Sequence, residues 1–142
     1  MSLYTVMLAL HVITAVSGAG LLGAIPIAAR SARRAGPSAS SGATLEALLR
    51  YTRVSFFLLL ATGAAIDFSV NGAFHGTGWF RASFALLVLV GFSHGRARAA
   101  LKRGLAPTGD PEASLRSVER LGYAMCAAVA LIVVLMEVKP LP

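Results

Sequence analysis

Charge is what this sequence has least of. Of its 142 residues, 13% are Asp, Glu, Lys or Arg, about half the roughly 25% usual in a soluble domain. Acidic residues are the scarcer kind, 6 against 13 Lys and Arg. There is one cysteine, Cys126, so an intrachain disulfide and a paired-thiol zinc site are both excluded, and a packed core thiol is the expected role. No Ser or Cys stands beside residues that would activate it as a nucleophile. Met7, Met125 and Met136 are scattered, which speaks against the soft thioether pairs that copper handling needs. No internal repeat and no second domain are visible.

What fills the chain instead is long apolar sequence, 56% of all residues. A hydrocarbon core about 30 Å thick takes about 20 predominantly apolar residues per helix. Four segments satisfy that, 3–29, 54–70, 80–100 and 121–138. The second is the shortest and carries Asp67. The first lacks a basic leader, and its apolar run exceeds the 7–15 residues or so of a signal-peptide core, so it reads as a retained helix. Backbone polar groups in lipid must bond within their own segment, which makes the spans helices. Short connections then predict an all-α, antiparallel, up-down-up-down bundle of four transmembrane helices in one membrane domain, residues 1–142.

The formal charge of +7 is explained by where the cations fall. Arg30, Arg33, Arg34, Arg50 and Arg53 cluster around the first connection, and Arg96, Arg98, Lys102, Arg103, Arg116 and Arg120 around the third. Only Arg81 and Lys139 fall on the other side. The positive-inside rule makes the basic side cytoplasmic, with both termini outside a bacterial inner membrane. The partner is the bilayer, with a homo-oligomer or a larger membrane complex as the protein partner, and not nucleic acid. Residues 35–42, rich in Ser and Gly, read as a flexible linker. Thr44 to Arg50 read as the start of a helix that continues into the second span. Pro107, Gly109 and Pro111 mark a break, Ser114 to Arg120 a helix feeding the last span, and residues 139–142 its stop.

Gly18-Ala19-Gly20-Leu21-Leu22-Gly23 spells a dinucleotide fingerprint but lacks the strand–turn–helix setting that chemistry needs. Small residues here predict close helix packing, with a kink at Pro26 near the end of the first helix. His11 is the most informative residue. It sits about 8 residues, or roughly 12 Å, into the first span, where an ionisable side chain faces the bundle interior and marks a site or is tied to a neighbouring helix. Ala15 and Gly18 follow on the same face and leave room for a flat group. His94, with Gly91 on its face, reads as a second ligand or as an interfacial residue near Arg96 and Arg98. Two histidines on separate helices suffice to hold a haem, although simple counting puts His11 and His94 roughly 9 Å apart in depth. A single axial His11, or His11 with His75, stays open. Asp67, His75 and Arg81 form an outer polar cluster, for which an Asp67–Arg81 pair is the simplest structure and a proton path or quinol pocket the sharper one.

Leu10-His11-Val12-Ile13, Ala15 to Leu21 and Ile25-Pro26 resemble the first helix of HemJ-type protoporphyrinogen oxidases. Trp79-Phe80-Arg81, the following apolar run and Phe92-Ser93-His94 resemble their third helix. Thr62-Gly63 and the four-span layout are similar to a broader group that includes CopD-type copper-resistance membrane domains and small bacterial membrane proteins of unknown function. The resemblance implies a four-helix bundle and, for the HemJ branch, haem b and protoporphyrinogen oxidation. It makes His11 the functional histidine and His94 its third-helix counterpart. The HemJ pattern has a tryptophan-phenylalanine pair near Gly18 and Ala19, and a third-helix lysine where this chain has Ala82 or Ser83. Haem binding survives those departures better than catalysis does. The expectation is a haem- or porphyrin-binding membrane protein with a redox role. His11 and His94 are its ligands, and Ala15, Gly18 and Gly91 line the site. The alternatives are a cofactor-free accessory subunit and a copper-handling protein.

Overall fold

A computed structural model describes residues 2–139 and shows four helices: α1 (Leu3–Ala35), α2 (Ala39–Ser69), α3 (Gly78–Gly104) and α4 (Pro111–Val138). Each contains an 18-residue window of mean hydropathy 1.2 or more and at most two charges, so all four are long and apolar enough to cross a membrane. Large apolar side chains cover the outside, among them Ile13, Val16, Phe68 and Phe92, each more than 60% exposed. In water such a surface would associate. In lipid it is the surface a bundle needs.

The helices overrun the expected spans at the basic side. Of the segment expected as a flexible linker, only residues 36–38 lie between α1 and α2, and the rest is helix. The Ser-rich composition reflects capping instead. The Ser38 side chain accepts from the Ser41 N–H, and the Ser41 side chain accepts from the Ser38 N–H, a reciprocal capping box that satisfies donors the first turn leaves orphaned. The break at Pro107–Pro111 is present, with Asp110 capping α4 and Pro111 in its first turn, where a missing N–H costs nothing. Thr44–Arg50 and Ser114–Arg120 lie within α2 and α4. Residues 140–142, read as part of the terminal stop, lie outside the described residues; Lys139 is the C-cap of α4.

α1 does not end at Pro26 but runs on to Ala35. Proline has no N–H, so the Leu22 carbonyl one turn earlier loses its helical donor. The Cys126 thiol of α4 is directed at that carbonyl, Sγ to O 3.9 Å. Pro26 is fully buried, and a Cβ placed on Gly122 of α4 would stand 2.8 Å from its Cδ. α1 and α4 therefore cross at a proline seated on a glycine.

The buried core lies at the basic end: Ile25 and Ala29 of α1, Leu45 and Leu49 of α2, Ala97 and Leu101 of α3, Leu115 and Val118 of α4. The Arg33 guanidinium of α1 adds a two-donor contact to Glu119 Oε2 of α4, at 3.0 and 3.1 Å. α1 packs on α2 and α4, and α3 on α4, but α2 and α3 barely touch. The bundle is thus closed on three seams and open on the fourth.

Candidate functional site

The open seam is a cleft of about 790 Å³ between α2 and α3, floored by α1 and α4. Its α2 wall is one helical stripe, Thr52, Phe56, Leu59, Gly63 and Asp67, and its α3 wall another, Phe80, Phe84, Leu87, Gly91, His94 and Arg98. Spacings of three and four keep such residues on one face. The walls are mostly aliphatic and aromatic. His11, Ala15, Gly18, Gly91 and His94, expected from the sequence to line one site, all line this cleft.

Close approach at two glycines shapes it. A Cβ on Gly18 would lie 3.1 Å from Ser55 Cβ, and one on Gly63 would lie 3.2 Å from His11 Cε1. Gly18 therefore brings α1 against α2, and Gly63 lets the His11 ring sit against the α2 backbone. The expected packing role does not extend along the whole glycine segment, since a Cβ on Gly20 or Gly23 would meet nothing within 4 Å. Across the cleft the Phe56 ring lies over Gly91, with Cζ 2.9 Å from where a Cβ would be.

The His11 ring is oriented by Thr62, Nδ1 to Oγ1 2.9 Å. The Thr62 hydroxyl already donates to the Leu58 carbonyl at 2.8 Å, with Leu59 at 3.2 Å. A hydroxyl has one hydrogen, so Thr62 must accept, and Nδ1–H of His11 donates. The Leu59 carbonyl also faces the ring; in the neutral ring the lone pair then sits on Nε2, and the side-chain hydrogen bond found for the ring among the described residues is at Nδ1. An imidazole held through Nδ1 with a free Nε2 is the arrangement that presents a nitrogen to a metal.

His94 is built differently. It is 8% exposed, and its Nε2–H donates to the Leu49 carbonyl at 2.9 Å, with the Thr52 hydroxyl 3.1 Å away. Its Nε2 is spent on joining α3 to α2. The two histidines also dock on α2 at Thr62 and Thr52, ten residues or about 15 Å apart along the helix. The two rings therefore sit at different levels of the cleft.

The outer polar cluster is present with other pairings. Asp67 does not pair with Arg81. Its Oδ1 accepts the Phe74 N–H at 2.9 Å and its Oδ2 faces His75 Nδ1 at 3.2 Å. Arg81 instead donates from Nε to the His75 carbonyl at 3.2 Å. Asn71 and Gly72 turn the chain here with φ of 56° and 75°, and a Cβ on Gly72 would collide with the His75 ring. The loop is thus a folded cap. Trp79 packs between Phe74 and Phe80 with the Lys139 ammonium 5.7 Å from its ring centroid. Of this cluster only Asp67 reaches the cleft.

Sequence reasoning did not assign Ser83, Arg53, Arg98 or Lys102 to the site. Ser83 is 3% exposed, its hydroxyl has no partner among the described residues, and it lines the cleft. Its spacing of eleven from His94, three helical turns, was the available signal. No group of three His, Cys, Asp or Glu among the described residues could hold a bare metal ion. Compared with family models, with curated proteins and with solved structures, the chain matches none.

Proposed function

We propose that this integral membrane protein binds haem b or a related porphyrin in the α2/α3 cleft, with His11 Nε2 as a single axial ligand. The observation that carries the reading is the free Nε2 of an imidazole fixed through Nδ1 at the wall of a large apolar cleft. A haem asks little more of a protein than one such nitrogen and a dry, flat slot. Gly63 and Gly18 provide the close approach, and the unpartnered Ser83 hydroxyl gives the slot a second polar contact. A bound haem would supply one-electron chemistry, while the protein supplies orientation and shielding from water. Protoporphyrinogen oxidation is not part of the proposal, since Ala82 and Ser83 stand where the resembling oxidases have lysine. Copper handling finds no support in the scattered methionines: Met125 is in the core and Met136 at the cleft wall. The basic end faces the cytoplasm of a bacterial inner membrane on this reading.

The test is the visible spectrum of detergent-purified protein expressed with ample haem. A Soret band and a reducible α band are expected in the wild type and in His94→Ala, and neither in His11→Ala. A colourless wild type would overturn the reading in favour of a cofactor-free accessory subunit, and unchanged bands in His11→Ala would overturn the ligand assignment.

A further inference from the structure

The basic end of the cleft is not used by a porphyrin at His11, and it has its own chemistry. Arg53, Arg98 and Lys102 all line the cleft. Arg53 follows Thr52, which touches His94, while Arg98 and Lys102 lie one and two turns beyond His94 on the same face of α3. The ion pairs among the described residues engage Arg33, Arg116 and His75, and none of these three cations. Immediately beyond them the walls become apolar, with Phe56, Leu60, Leu87 and Phe84. Charge at one end and hydrocarbon walls above it, on a seam open to the side, match one occupant in both chemistry and length.

We infer that this part of the cleft holds one anionic phospholipid, its phosphate among Arg53, Arg98 and Lys102 and an acyl chain in the open mouth of the α2/α3 seam, outside the His94–Leu49 and Phe56–Gly91 contacts. From Arg98 to Phe84 is fourteen residues, about 21 Å of helix, enough for the roughly 15 Å depth of one leaflet, half of a core about 30 Å thick. The inference rests on the basic end alone and stands whether or not a porphyrin is bound.

The experiment uses the full chain in nanodiscs of mixed phosphatidylglycerol and phosphatidylcholine, with spin-labelled versions of each lipid as probes. The bound fraction of each label is read by electron paramagnetic resonance. The wild type should prefer the phosphatidylglycerol probe by at least about fivefold, what one cation contributes beside an anionic headgroup. Exchanging Arg53, Arg98 and Lys102 for Gln should abolish the preference, whereas Arg30→Gln with Arg34→Gln, cations that do not line the cleft, should leave it unchanged. Gly95→Leu is the second arm. Gly95 lines the cleft, and a Cβ there meets nothing within 4 Å, so the leucine enters the acyl path from an open position with no loss of charge and should also abolish the bound fraction. Equal losses from both sets of charge changes would reduce the effect to general surface attraction and overturn the inference. So would full binding in Gly95→Leu.

Discussion

Two threonines on α2 set the two histidines to different work. Both hydroxyls donate back to their own helix, Thr62 to Leu58 and Thr52 to Leu48, and so each can only accept from the ring it faces. At Thr62 the acceptor is met by Nδ1 of His11, and Nε2 stays free; at Thr52 it is met by Nε2 of His94, with the Leu49 carbonyl completing the contact. Thr62→Val removes the group that fixes the His11 ring. It should weaken haem binding by about 10- to 100-fold, as loss of an outer-shell partner does, measured by haem titration of the purified apo-protein. His94→Ala should instead keep haem affinity and lower stability in detergent by about 1–2 kcal/mol, the size of an interhelical hydrogen bond in a membrane bundle, seen by thermal unfolding. The importance of His11 was legible in the sequence, because an imidazole deep in an apolar run demands a reason. Its partner was not. A helical threonine that back-bonds to its own carbonyl gives no sign of what it accepts from another helix.

The helices themselves were legible as four apolar runs, and their ends were not. Hydropathy stops where lipid stops, whereas α1 and α2 continue to Ala35 and back to Ala39 because a capping box and the core of Leu45, Leu49 and Ala32 hold them. Composition suggested a linker where hydrogen bonding made a helix start. The same applies to the glycines. A run of small residues announces packing somewhere, but which glycine meets a neighbour depends on how the helix is rotated. Gly122→Ala places a methyl against the rigid Pro26 ring at 2.8 Å and should destabilise the bundle by about 1–3 kcal/mol, as overpacking does. Gly20→Ala points into open space and should change stability by no more than about 0.5 kcal/mol. Unfolding of the two variants side by side in one detergent checks the rotation of α1.

At the scale of the molecule, the bundle is tight at its basic end and open along one seam. Among the described residues thirteen form the continuous core, and most belong to the halves of the helices nearest the basic loops. α2 and α3 make few contacts along their lengths, and the cleft between them results. The up-down-up-down order followed from four runs and short connections, but no pattern in the chain marks which of four seams stays open. That is decided by the tight contacts on the other three: Pro26 on Gly122 between α1 and α4, Gly18 on Ser55 between α1 and α2, and the Ser114 hydroxyl of α4 donating to the Ala100 carbonyl of α3. The asymmetry of the cations also makes a prediction about orientation. Reporter fusions at residues 37 and 108 should report a cytoplasmic location, and one at residue 73 the opposite side.

All of this requires lipid against the exposed faces of Ile13, Val16, Phe68 and Phe92. The most direct check is to wash membranes from expressing cells with alkaline carbonate and follow the chain by sedimentation. It should remain in the membrane pellet and be released only by detergent. Recovery in the supernatant as a monodisperse, detergent-free protein would contradict the account.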